Sequence, residues 1–145
     1  MIGFYKANID YVTENAVNPD RRRYAVEGEA PRHYIDLDIY PEEIQKDLAS
    51  LSWSKAVAKY TEDTLTAYGV VPWHVVRMKF QLTDAFVKKD LKNIMRLSAD
   101  VGHYIADAHV PLHTTENYNG QLTDQLGIHG FWEYRLPELY TKNYS

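Results

Sequence analysis

Apolar residues recur along most of this chain at intervals of three and four, the spacing of one helix face, and no stretch alternates as a half-buried strand does. Residues 2–16 (IGFYKANIDYVTENA) set Ile2, Tyr5, Ile9 and Val12 on one face and predict an amphipathic helix. Pro41 and the two glutamates after it open a short helix over 41–49. Residues 52–69 (SWSKAVAKYTEDTLTAYG) read as one helix stopped by Gly69. Pro72 opens another that runs to about Phe86. From Leu91 to about Val110 the stripe is Leu91, Ile94, Leu97, Val101, Ile105 and Ala108, and Pro111 ends it. A last helix begins near Ile128. Two segments lack sustained periodicity: 18–43, rich in Pro, Gly and Asp, and the polar 114–127. The first predicts a long loop, and loops of that length in small domains are usually functional. The pattern predicts an all-α fold, with residues 1–145 forming one domain.

Composition narrows this picture. A 45% hydrophobic, 25% charged chain is an ordinary globular sequence, not a disordered tail. The net charge of −4 gives no global attraction for nucleic acid or an anionic membrane, although bound cations would offset carboxylates. Cysteine is absent, so any metal must be held by nitrogen and oxygen. No apolar run is long enough for stable membrane insertion, and the N-terminus lacks the basic-then-apolar pattern of a signal peptide.

The candidate chemistry lies in GHYIADAHVPLHTTENYNGQLTDQLGIHGFWE, residues 102–133, which holds four of the six histidines. His103 and Asp107 are four apart, as are His129 and Glu133, so each pair projects from one helix face. A single such pair is more often a solvated surface pair than a ligand set. Two pairs with His113 between them favour ligation. The His, Asp and Glu set suits Zn²⁺ and would also accept Mn²⁺ or Fe²⁺. Di-iron bundles use Glu-x-x-His at three-residue spacing, which these pairs do not match.

At these residues the chain resembles the zinc-dependent phospholipase C and single-strand-specific nuclease superfamily, all-α trinuclear zinc phosphodiesterases. The family pattern is H-x3-D, a His six residues after the Asp, then H-x3-[DE]; here it reads His103, Asp107, His113, His129 and Glu133. RHYID adds His33, with Asp20 of NPD thirteen positions earlier. The resemblance covers roughly residues 1 to 140 and is to a bacterial member. It implies a multi-helix bundle of that type, with the metal site between helices and a long loop. It implies that Asp20, His33, His103 and Asp107 hold one zinc, that His113, His129 and Glu133 hold a second, and that Asp107 bridges toward a third. Asp36 would sit near the metals without ligating and orient the attacking water.

Family members begin with a Trp that binds the third zinc through its amino group and carbonyl, followed closely by a ligand His. This chain has no Trp before Trp53 and no His before His33, and it ends where relatives continue. The expectation is therefore two zinc sites, in a chain incomplete at both ends and lacking ligands for the third. The function implied is zinc-dependent hydrolysis of phosphate esters, foremost as a nuclease on single-stranded nucleic acid. Phospholipase C-type release of phospholipid head groups is the second reading, and a non-catalytic zinc-binding fragment the third. Family enzymes are exported, which implies a secreted or periplasmic location.

Several residues stand outside the motif. Arg21, Tyr34 and Tyr118 are candidate substrate contacts near the expected metals; Arg21–Arg23 could equally pair with Glu27 and Glu29. His74 reads as structural, and His109, off the ligand face, as exposed or as an outer partner of a ligand. Asp100, one turn before His103, reads as a solvated carboxylate or a partner for a ligand imidazole.

Overall fold

The computed structural model describes residues 2–48 and 50–141. Among them there is no strand, and the fold is all-helical. Its centre is an antiparallel pair, α7 (Val71–Val87) and α8 (Leu91–Asp107), joined by a three-residue turn. Asp90 starts α8 by accepting the Asn93 amide at 3.1 Å. Against this pair lie α4 (Glu42–Leu48), α5 (Trp53–Tyr60) and α6 (Glu62–Ala67), which contribute fully buried Leu48, Ala56 and Leu65 to one core with Val71, Trp73, Ile94 and Leu97. Burying each leucine contributes roughly 1.5–3 kcal/mol. Trp73 packs edge-on to Trp53 and donates its indole N–H to the Leu51 carbonyl at 2.8 Å.

The N-terminal helix is broken in two, α1 (Ile2–Ala7) and α2 (Ile9–Asn15). Asn8 leaves helical geometry there, and its side-chain amide donates to the Phe4 carbonyl. The inward face is Phe4, Tyr5 and Val12, while Ile2 and Ile9 of the expected stripe are exposed. The expected helix over 52–69 is likewise split at Thr61, whose φ is +67° and whose hydroxyl accepts the Thr64 amide to begin α6. The helix expected over 41–49 is described as far as Leu48; residue 49 lies outside the described residues. The segment 18–43 is not all loop. Pro19 opens α3 (Asn18–Arg23), and 3₁₀ turns form at Ala30–His33 and Leu37–Ile39.

The stripe expected on α8 also rotates toward its end. Leu91, Ile105 and Ala108 are exposed, whereas Asp100 and Tyr104 are buried. In the final turns of α8 the Tyr104 ring joins the hydrophobic core, while its hydroxyl and the Asp100 carboxylate meet polar partners, so polar groups occupy inner positions there.

Two sets of backbone hydrogen bonds fix the segment 31–37. On one side Val70 and Val71 donate to Pro31 and Tyr34, and Asp36 donates to Tyr68. On the other side Ile35 and Leu37 donate to His113 and Thr114. Gly69 makes the first set feasible: its φ is +91°, and a Cβ there would lie 2.2 Å from the Tyr34 carbonyl oxygen. His33, Asp36 and His113 are thereby brought to one end of the α7–α8 pair.

The chain ends in α9 (Ile128–Gly130), a π-helical turn (Phe131–Arg135) and α10 (Leu136–Tyr140), none with a buried residue. Pro137 accounts for the π turn: it has no N–H for the Glu133 carbonyl, and Leu136 donates five residues back to Phe131. No described helix is long and apolar enough to cross a membrane.

Candidate metal centre

Two groups of metal-ligating side chains form where these elements meet: Asp20, His33 and His103, and His113, His129 and Glu133. In the first, α3 presents Asp20, the turn 30–33 presents His33, and α8 presents His103. His33 Nδ1 lies 3.2 Å from His103 Nε2, and Asp20 Oδ1 lies 3.7 and 3.5 Å from those two atoms. Asp107, one turn beyond His103, reaches both rings, with Oδ2 at 2.8 Å from His33 Nδ1 and 3.3 Å from His103 Nε2. Burial opposes the Asp107 charge, but hydrogen bonds from His103 and His33, and the charges of His103 and His113, hold its carboxyl well below the usual range. Burial likewise disfavours the His103 cation, and Asp107, Asp20 and the Ala16 backbone outweigh it, so that ring is raised.

In the second group, backbone carbonyls fix both imidazole tautomers. A carbonyl can only accept, so His113 Nδ1–H donates to His33 O at 2.7 Å and His129 Nδ1–H donates to Tyr118 O at 3.1 Å. In its neutral form each ring would turn an Nε2 lone pair on Glu133, whose Oε1 lies 3.0 Å from His113 Nε2 and whose Oε2 lies 3.1 Å from His129 Nε2. Lone pairs facing a carboxylate repel. Protonating both rings would set two imidazolium ions 5.0 Å apart on one carboxylate. A cation shared by all three removes the conflict, and a carbonyl on the far ring nitrogen is the usual support of a ligating histidine. The donor sets fit a divalent ion such as zinc at either group. The His113–His33 hydrogen bond joins the two groups.

Beside the second group is a cleft of about 700 Å³. Its lining includes Asp36, Tyr34 and Tyr118, Arg23 from the arginine block, and Tyr24 and Tyr134, which the sequence did not single out. Arg21 is turned elsewhere and bonds Asn18 at 3.1 Å; a helix, unlike a loop, sends successive side chains in different directions. Arg22 points inward to Asp100 and the buried Glu29. Asp100 is thus neither solvated nor a partner of His103, because Arg22 and Arg96 occupy it. His74 is internal, edge-on to Tyr104 at 4.4 Å, and burial pushes its pKa down to about 4. His109 is exposed and donates to Ile105.

Burial, with Asp38 and Glu116 nearby, raises the Asp36 carboxyl to about 6. Above that pH its charge penalises the folded state; below the ordinary value of 3.8 it is protonated whether folded or not, and the penalty vanishes. In metal-free protein, Asp36→Asn should therefore gain about 1 kcal/mol at pH 8, after allowance for solvent screening, and nothing near pH 3.5. Urea midpoints at the two pH values measure this, and an equal gain at both would refute it.

No family profile, curated protein or solved structure significantly matches this chain.

Proposed function

We propose that this chain is a zinc-dependent phosphodiester hydrolase of the phospholipase C and single-strand nuclease type, acting on single-stranded nucleic acid. One observation carries the reading. The two histidine–carboxylate groups are joined, and the second walls a cleft that also holds Asp36 and four tyrosines. Zinc held at such groups polarises a phosphoryl oxygen and lowers the pKa of a bound water to about 7.

The chain's own residues supply the remainder. Asp20, His33, His103 and Asp107 would hold one ion, and His113, His129 and Glu133 the other. Asp36, with its carboxyl near 6, is ionised at neutral pH and accepts a hydrogen bond from the attacking water, orienting it. Arg23 offers a planar fork for a phosphate in the cleft. Tyr24, Tyr34, Tyr118 and Tyr134 offer ring faces on which bases stack, and Asn119 and Gln121 offer polar contacts to base edges. Leu112 is the one aliphatic side chain in the lining, a poor rim for acyl chains, which favours nucleic acid over phospholipid. The resemblance also carries the expectation of export.

Metal analysis with a paired assay on a single-stranded oligonucleotide and a phosphocholine ester tests this. Two zinc equivalents and oligonucleotide cleavage are expected. Release of phosphocholine instead selects the phospholipase reading. Two zincs with neither activity selects the non-catalytic fragment, and a chain that binds no zinc removes the metal reading altogether.

A further inference from the structure

Behind the first group lies a buried polar cluster to which the proposed reaction assigns no part. Glu29 is 1% exposed, yet it is surrounded by donors: the Tyr104 hydroxyl, Arg32 at 2.5 Å and Arg22 at 3.4 Å. These hold its carboxyl below the ordinary range despite burial. Its remaining neighbour is His33, also 1% exposed, whose Nε2 lies 3.9 Å from Glu29 Oε1 and has no hydrogen-bond partner. The same ring's Nδ1 faces Asp20, His103 and Asp107.

The chemistry of the ring makes this arrangement directional. A cation taken at Nδ1 uses that lone pair, and the neutral imidazole must then carry its proton on Nε2. A buried N–H with no acceptor leaves its lost hydration uncompensated. Glu29 is the carboxylate positioned to accept it, and Tyr104 ties Glu29 to the helix that carries His103 and Asp107. We propose that Glu29 is a positioning residue for the first metal group: its carboxylate accepts the Nε2–H of His33, fixing tautomer and ring orientation so that Nδ1 presents its lone pair to the cation. The 3.9 Å separation closes when the ion is bound, as loose contacts around reacting groups commonly tighten. This inference rests on the metal-binding reading above.

The test is a chelator-competition titration of the full chain, in which the first group's zinc is the one abolished by His103→Ala. Glu29→Gln should weaken that zinc about 10–100-fold and leave the other within about twofold, the usual size of losing a ligand's outer partner. Asp100→Asn neutralises a second buried carboxylate on the same Arg22 without touching His33, and should weaken neither. Zinc-loaded wild type supplies a readout that needs no stable variant: the His33 Nε2–H should give a downfield, slowly exchanging proton resonance in a histidine ¹H–¹⁵N spectrum. A fast-exchanging Nε2–H, or equal weakening by the Glu29 and Asp100 variants, overturns the proposal. Wild type that binds no zinc at the first group sinks the metal reading itself. Wild type that binds it as tightly as Glu29→Gln sinks only the role of Glu29.

Discussion

Removing the metal should lower the melting temperature of this chain by roughly 15–30 °C. At a free concentration 1,000 times its dissociation constant, one cation adds about 4.1 kcal/mol, so two add about 8. In a domain of this size each kcal/mol moves the midpoint by about 2–4 °C. The loss should not be spread evenly. The core around Leu48, Leu65, Val71 and Leu97 contains no candidate ligand and should stay folded. The segment from Ile128 to Tyr140 buries nothing, and the side chains that bind it to the body include Glu133 on His113 and His129 on the Tyr118 carbonyl. Amide exchange in chelator should therefore rise first in residues 128–140 and 18–37, while α7 and the first half of α8 stay protected. Equal melting temperatures in chelator and in excess zinc would falsify the metal reading.

That uneven stability also explains what was legible beforehand. Periodicity read the elements that fill the core, α7 and α8, nearly to their ends, because their faces are decided by apolar burial. It failed where polar contacts decide. Asn8 and Thr61 break helices through side-chain hydrogen bonds, and α3 forms from NPDRRR, which has no apolar stripe to reveal it. The last turns of α8 turn inward at Asp100 and Tyr104 because Arg22, from a distant segment, meets both, which spacing cannot disclose. The ligand pairs were legible for the opposite reason. Four-residue spacing on a helix is local geometry, and both pairs do meet, at 3.3 and 3.1 Å. The joining of Asp20 and His33 to α8 came only from the family pattern, and the structure brings them together. Glu29 was legible only as a possible partner of the arginine block, a pairing that Arg22 makes at 3.4 Å; nothing in the spacing disclosed its approach to His33.

Asp107→Asn is the single change expected to cost most. The carboxylate is within 3.3 Å of both imidazoles of the first group, and its charge is held against burial by those rings and by His113 in the second. Asparagine keeps the shape and can still hydrogen-bond the rings, so the metal-free fold should survive. It removes one of the two negative charges that would balance a divalent ion there. Loss of an outer partner costs about 10–100-fold in affinity, so losing a direct, charged ligand should cost on the order of 10³-fold or more at the first group. Hydrolysis should fall on the same order, because several kcal/mol of charge stabilisation leave with the ion and each 1.36 kcal/mol is tenfold in rate. A second signature separates this from misfolding. The depressed carboxyl of Asp107 stabilises metal-free wild type above the unfolded-state value near 3.9, and that contribution is lost as pH falls through its folded value. The variant lacks this contribution. Its stability should fall less than that of wild type as pH drops from 5 to 2, and the two urea curves should converge in acid. Curves that stay parallel, with zinc bound as tightly as in wild type, would mean that Asp107 neither ligates nor anchors the two histidines.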